Sequence, residues 1–383
     1  MMKITFFSNF LNIHQLPFCE EVIRHIGEEN FHFVATRGMD ADRVQMGFED
    51  MNQTKSFVVR AYEGEKALEN AKQLAIESDV AIIGSAPDVF ANLRLKEHKL
   101  TFRYNERLFK KGFVKLLDPR LFSAYYKRFT RYRNDNLYVL CASAYTKTDL
   151  KLLGFPEKKC FKWGYFPEMK QYRSFEELWE KKNGLKQNKI SILWAGRLIG
   201  WKHPEVAIQV AKSLKEKGWA FSLTMIGDGE ERNRLNQLIA DYDLTDCVEL
   251  LGPKNHEFVL SAMEESDIFL FTSDRNEGWG AVLNEAMNAG CAVVGNKQIG
   301  SVPFLIQNGK NGFLYQNNQD LHNIMNLLCS SLENRKELGQ KAWLTMNEQW
   351  NAHDAVDKLF VLIESIQIGL IKPPITIGPC SLA

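Results

Sequence analysis

The stretch Ser273–Gly290, SDRNEGWGAVLNEAMNAG, holds two carboxylates where carboxylates could do chemistry. Glu277 precedes a glycine-flanked turn, Gly278–Trp279–Gly280, and Glu285 lies in an apolar run that reads as a short helix ended by Gly290. Gly278, Trp279 and Gly280 are candidate ligand-binding residues, the glycines removing side chains where backbone N–H groups would approach a ligand. A helix starting near Trp279 would offer unpaired donors to an anion. A hydrolytic acid–base pair is one reading of two glutamates. It wants carboxyl groups roughly 5–5.5 Å apart for retention or about 6.5–9.5 Å apart for inversion, whereas eight helical residues rise about 12 Å. The spacing favours two contacts on different parts of one extended ligand, each carboxylate accepting from hydroxyls of a sugar diol. The bland alternative is a capping Glu277 with a solvent-facing Glu285, which sits poorly with the apolar flanks AVLN and AMNAG.

Other groups follow apolar, strand-like runs in the same half of the chain. After SILWAG come Arg197 and Lys202, in GRLIGWKHPE. An arginine grips two oxygens at once and a lysine acts as a point charge, so the pair suits a diphosphate. Two solvated surface cations are the alternative for such a pair taken alone. After SLTMIG come Gly227 and Gly229, which either make a tight turn or let phosphate or sugar approach; the third glycine of a dinucleotide fingerprint is missing. After VELLG comes Pro253, beside Gly252.

These positions need a frame. KITFFSN, FHFVAT, SFVVRA, DVAIIGS, LTFRYN and LYVLCAS read as strands, with helical patterns such as PFCEEVIRHIGEE and GEKALENAKQLAIES between several of them. A second series begins near Lys189: the strands KISILWAG, AFSLTMIG, CVELLG, DIFLFTS and CAVVGN alternate with amphipathic helices. Alternation of this kind predicts α/β architecture, two Rossmann-like, doubly wound parallel sheets. Ligands of such sheets bind beyond the carboxyl ends of the strands, where the residues above fall. The expected division is an acceptor domain over 1–166, a polar linker over 167–188, a donor domain over 189–350, a helix over 351–372 and a tail over 373–383 that is expected to fray.

Taken in order, WAGRLIGWKHPE, MIGDGEER, ELLGPKN, EGWGAVLNEAMNAGCAVVGN and GSVPFLIQNGKNGFLY resemble the donor half of glycosyltransferase family 4, a retaining family of GT-B fold. The resemblance covers Lys189–Tyr315 and is thinner over 1–165. It implies that the two domains face each other across a cleft and that the final helix crosses back to the first. Arg197 and Lys202 would neutralise the diphosphate of a nucleotide sugar, UDP- or GDP-linked. Glu277 would touch the donor sugar and Glu285 the ribose, with Gly252 and Pro253 bordering the base. Where members often carry Pro-Glu this chain has Pro303–Phe304. The chemistry implied is transfer with retention, the leaving diphosphate helping to deprotonate the acceptor. No cofactor or metal is implied.

On the first half, Asn9, Asn12, His14 and Gln15 follow the first strand and would face the acceptor. His14 is equally well a local cap or packing residue. Arg103 and Glu106, at the end of the fifth strand, are candidates near the reacting sugar, or plain surface charge. Asp40–Asp42 and Asp241–Asp243 imitate the Asp-x-Asp of another glycosyltransferase fold but read as surface acids.

At 383 residues with a net charge of +1 the chain is a two-domain protein with no global pull on polyanions. One stretch is locally basic. Lys96–Arg133 interleaves lysines and arginines with Phe109, Phe113, Phe122, Tyr125, Tyr126, Phe129 and Tyr132, which suits an anionic membrane or a phosphate-rich acceptor. A solvated face over core aromatics is the alternative; no nucleic-acid motif accompanies it. The seven scattered cysteines read as small buried hydrophobes of a reducing compartment. The N-terminal run is too short for a secretory signal and no apolar stretch is long enough to span a membrane, so a cytoplasmic, at most peripheral, enzyme of glycan assembly is expected. A nucleotide-sugar epimerase of related fold and a non-catalytic binding subunit are the rivals.

Overall fold

The structure is a computed structural model and describes residues 2–39, 49–112, 118–183, 189–370 and 372–383. The chain divides into two compact units, Met1–Glu168 with Ala352–Ala383, and Met169–Asn351.

The first unit is built on a seven-stranded sheet in the order β3-β2-β1-β4-β5-β6-β7. The strands are β1 Ile4–Ser8, β2 Phe31–Ala35, β3 Val58–Arg60, β4 Val80–Ile83, β5 Thr101–Asn105, β6 Leu137–Cys141 and β7 Cys160–Lys162. All its pairings are parallel. Both faces of the central strands are covered: β1, ITFFS, and β4, the unbroken apolar run VAII, are buried throughout. One face carries a core in which Phe7 stacks on Phe90 at 4.8 Å. At the amino edge, the buried Arg94 guanidinium donates to the carbonyls of Ala75, Ser78, Asp79 and Leu100. Burial lowers its pKa to about 10. The helix Ala352–Gln367 packs on the helix Leu16–Ile26, where the His25 ring stacks on Phe360 at 5.6 Å and His353 pairs with Glu21 at 2.8 Å.

The second unit holds a six-stranded sheet in the order β10-β9-β8-β11-β12-β13. Its strands are β8 Ile190–Ala195, β9 Phe221–Ile226, β10 Val248–Gly252, β11 Ile268–Phe271, β12 Ala292–Asn296 and β13 Phe313–Tyr315. Every pairing is again parallel. Both sheets follow the doubly wound plan, so the α/β Rossmann-like expectation holds for each.

Four local features differ from the sequence reading. Strands β7 and β13, CFK and FLY, are three residues each and lack the apolar flanks that mark the equally short β3 within SFVVRA. The polar stretch taken as a linker holds a helix, Phe175–Asn183, whose Phe175, Leu178 and Trp179 pack with Tyr172 and Trp343. The tail does not fray over its last residues: Cys380 donates to the Lys162 carbonyl at 2.8 Å and Lys162 to Ser381 at 2.7 Å, while the Cys380 side chain is buried. The helix after Glu277 begins at Val282, not near Trp279, because Gly280 takes φ +81°, outside helical space. Its end is as expected. Gly290 and Cys291 donate back to Met287 and Ala286, a Schellman closure.

Six of the seven cysteines are buried, which fits their reading as small apolar side chains. Among the described residues no helix is long and apolar enough to cross a membrane, and no group of three or more metal-ligating side chains occurs. Asp40–Asp42 lies outside the described residues. Asp241 ends the helix Arg232–Asp241, and Asp243 pairs with Lys215 at 3.2 Å, as surface acids do.

Candidate functional site

The carboxyl edge of the second sheet gathers the expected donor-side residues. Strand β8 delivers Gly196 and Arg197, β9 delivers Gly227 and Gly229, β10 ends in Gly252 before Pro253, and β11 leads to Thr272, Ser273 and Glu277. Lys202 Nζ donates to Glu277 Oε2 at 2.7 Å, and Ser273 Oγ donates to the same oxygen at 3.0 Å. Both partners of the ion pair are largely enclosed, at 14% and 13% exposure. The Lys202 ammonium also lies 4.9 Å from the Trp201 ring centroid. Its loop is held from behind. The Trp194 indole donates to Thr272 Oγ1, which donates to the Lys202 carbonyl, at 2.8 and 2.7 Å.

Gly196 keeps the lysine stem seated, since a Cβ there would sit 3.2 Å from Lys202 Cδ. Gly227 and Gly229 are required for another reason. A Cβ at Gly227 would lie 1.8 Å from the Gly196 carbonyl oxygen, and one at Gly229 2.3 Å from that of Leu198. The two loops are laid backbone on backbone, so the tight-turn reading accounts for both glycines. Arg197 is exposed, and its side chain makes no ion pair or hydrogen bond among the described residues.

Glu285 is brought into the same unit but to a different partner. It is 7% exposed and pairs with His256 Nε2 at 3.0 Å. Trp279 departs from expectation. Its indole has no exposed surface, donates to Asn284 Oδ1 at 2.9 Å and packs on Trp350 at 5.9 Å. Its side chain belongs to the core. Phe304, at the position where a glutamate was expected by resemblance, stacks on Trp350 at 6.2 Å and completes that aromatic group.

In the first unit, a cavity of about 410 Å³ opens at the carboxyl ends of β1, β4 and β5. This is the switch point between β1 and β4, where the chain reverses its direction of winding. Asn9, Asn12 and Glu106 line it, with Gln15 and Tyr165. Asn12 Nδ2 donates to Gln15 Oε1 at 2.9 Å, and Tyr165 OH to Glu106 Oε1 at 2.6 Å. Burial, with the nearby Tyr104 and Glu106, pushes the Tyr165 phenol well up, so it stays a donor. His14 is not among the lining residues; its ring lies parallel to Tyr165 at 6.0 Å, the packing alternative.

Arg103 is a correction. Its side chain has 0% exposure and turns to the other face of the sheet, where Nη2 meets Asp88 Oδ1 at 2.9 Å and the guanidinium lies 5.5 Å from the Phe129 ring. Alternation sets it opposite Tyr104 and Asp88 and Phe129 hold it there, whereas Tyr104, Asn105 and Glu106, nearer the strand's end, line the cavity. Sequence reasoning missed Ser273, His256 and the cavity cations Arg107, Lys110 and Arg128. The last three lie in the basic stretch that was noticed, but nothing in their spacing separates a cavity wall from a surface.

Residues 175–344 match the family described as Glycosyl transferases group 1. The amylovoran biosynthesis glycosyltransferase AmsK of Erwinia amylovora is 38% identical over 130 residues, 33% of this chain and 32% of that protein. The putative colanic acid biosynthesis glycosyltransferase WcaL of Escherichia coli (strain K12) is 35% identical over 134 residues, 34% of this chain and 33% of that protein. The chain thus spans about a third of the length of these curated relatives. The crystal structure of Anabaena Alr3699/HepE in complex with UDP superposes with a TM-score of 0.67 at 17% identity, covering 94% of this chain and 99% of that one. That likeness shows a shared fold, the two-Rossmann GT-B plan of glycosyltransferases.

Proposed function

We propose that the chain is a metal-independent, retaining glycosyltransferase that moves a sugar from a nucleoside diphosphate sugar, UDP- or GDP-linked, to an acceptor hydroxyl. The acceptor belongs to a glycan or lipid-linked sugar of bacterial surface-polysaccharide assembly. The observation that carries this reading is the Lys202–Glu277 pair at the carboxyl edge of the second sheet, with Arg197 exposed on the same loop as Lys202. The match of residues 175–344 supports it, as do the names of AmsK and WcaL and the UDP bound by HepE.

The residues divide the work by charge. Arg197 and Lys202 meet the diphosphate, whose negative charge grows as the bond from its oxygen to the anomeric carbon breaks. Glu277, which holds Lys202 in the free protein, accepts from donor-sugar hydroxyls, and Glu285 accepts from the ribose. Gly252 and Pro253 border the base; Gly278 and Gly280 leave the nearby backbone uncovered. The acceptor oxygen bonds to the anomeric carbon on the face the diphosphate leaves, and its proton passes to a diphosphate oxygen. Glu106, with Asn9 and Asn12, orients the acceptor.

The test supplies the full chain with a panel of nucleotide sugars, with and without sugar and lipid-linked acceptors. Nucleoside diphosphate should appear in step with glycosylated acceptor, survive chelator, and yield a product keeping the donor's anomeric configuration. Isomerised donor without acceptor would replace this reading with an epimerase. Nucleotide binding with no turnover would replace it with a binding subunit.

A further inference from the structure

The cavity of the first unit is unbalanced in charge. Among the described residues that line it, three are cations, Arg107, Lys110 and Arg128, and one is a carboxylate, Glu106. Both Glu106 oxygens are already engaged: Tyr165 OH donates to one at 2.6 Å and Lys110 Nζ to the other at 2.5 Å. Each Glu106 oxygen thus already holds one donor before a ligand arrives, and Arg128 is neither of them.

Arg128 is the most underused of the three. Its Nε lies 3.4 Å from Asp88 Oδ1, and its guanidinium 5.6 Å from the Phe129 ring. That same Asp88 oxygen is 2.9 Å from Nη2 of the buried Arg103. One half-exposed carboxylate therefore serves two guanidiniums, and the closer one is held by the fully buried arginine. Burial, then repulsion from Arg128, lowers the Arg103 pKa to about 10 despite Asp88. Arg107 lies 4.4 Å from the Tyr145 ring, which fixes its plane at the cavity wall. Asp149, behind this loop, accepts from the N–H groups of Leu108 at 2.7 Å and Phe109 at 3.2 Å, so it holds the loop.

We propose that this cavity is an oxyanion subsite: Arg128, aided by Arg107 and Lys110, takes a phosphate or carboxylate carried by the acceptor, while Asn9, Asn12 and Ser85 take its hydroxyls. The proposal rests on the transferase reading and makes the acceptor an acidic one. A guanidinium can hold two oxygens of either anion, so phosphate on a lipid carrier and carboxylate on a sugar ring share the chemistry. A cavity of about 410 Å³ leaves room for a sugar ring beside the anion.

The experiment reads binding, not turnover. Full chain carrying Arg197→Ala and Lys202→Ala, which disables the other anion grip, is titrated calorimetrically with inorganic pyrophosphate, glucuronate and glucose. At least one anion should bind, glucose should not, and binding should weaken as salt is raised. Adding Arg128→Gln should weaken the anion at least about tenfold, the loss of one charge-assisted contact. Lys110→Gln serves the same purpose if Arg128→Gln melts early. Pyrophosphate alone binding assigns the anion to a phosphate carrier; glucuronate alone assigns it to an acidic sugar. No anion binding, equal binding of glucose, or unchanged affinity in both variants overturns the subsite. Anion binding here, with no transfer from any donor by the unsubstituted chain in the assay above, keeps the subsite and removes the transferase reading. Transfer to a neutral acceptor that is indifferent to Arg128→Gln does the reverse.

Discussion

Lys202 is held at three points: its charge by Glu277, its flank by the Trp201 ring and its backbone by Thr272. A cation fixed in this way needs little reorganisation to meet a developing anion, which is where electrostatic catalysis is largest. Lys202→Ala and Arg197→Ala should each lower the transfer rate about 10²–10³-fold, or about 2.7–4 kcal/mol. Arg197→Ala should keep the wild-type melting temperature, measured by calorimetry beside the steady-state rate, because the guanidinium is exposed. Trp279→Ala should behave oppositely. Its loss empties a core position and should cost about 3–5 kcal/mol of stability, read by denaturant unfolding. The types and spacing of Arg197, Lys202, Glu277 and Glu285 were legible in the sequence because strand ends can be counted. The burial of Trp279 and of Arg103 was not. Which way a side chain turns at a strand end or in a glycine turn is decided by what packs there, and for Trp279 that is Phe304 and Trp350, distant in sequence.

The loops that carry these residues are stiffened by elements outside the site. Laying 227–229 on 196–198 joins two strand ends into one platform, and only glycine permits that approach. A second anchor lies under the helix His256–Glu265. Its buried Glu264 accepts from Tyr172 OH at 2.6 Å and pairs with Lys170 and Lys181. Burial would raise this carboxyl, but the three donors outweigh it and hold it below the ordinary glutamate range. The folded pKa is thus depressed, so this stabilisation is complete above the unfolded value and is lost as pH falls through the folded one. Glu264→Gln should cost about 1.5–3 kcal/mol near neutral pH, the loss of charge-assisted hydrogen bonds from lysines that stay half exposed. It should also flatten the acid limb of a stability–pH profile measured by urea unfolding. The helix Phe175–Asn183 beside this anchor escaped sequence reading because charges mask its stripe of Phe175, Leu178 and Trp179. Most strands were legible from their apolar runs, even the three-residue β3 within SFVVRA, whereas β7 and β13 sit among lysines and polar residues with no such run.

Across the whole molecule, charge is near balance and the basic stretch at 96–133 has two fates. Phe109, Phe129 and Tyr132 are core, as the bland reading holds, whereas the helix Pro119–Arg128 has no fully buried residue, Tyr125 being half-buried on Phe109, and shows Phe122 and Tyr126 at 44% and 46% exposure. Residues 113–117 lie outside the described part. Four residues apart, the two rings share a face, with Arg120, Lys127 and Arg128 on the same helix. We expect flotation with phosphatidylglycerol vesicles that weakens with salt and falls in Phe122→Ser/Tyr126→Ser; co-flotation of that variant with wild type would remove the membrane contact. The division of the chain has a consequence of another kind. The second unit is continuous, whereas the first is interrupted by it and regains residues only at 352–383. During synthesis the ribosome therefore finishes the later-begun unit first. The earlier one waits, its helix Leu16–Ile26 lacking its neighbour Ala352–Gln367, until residues 352–383 emerge. A stalled or shortened message would release a folded second half tethered to an unfinished first, a natural target for chaperone and protease.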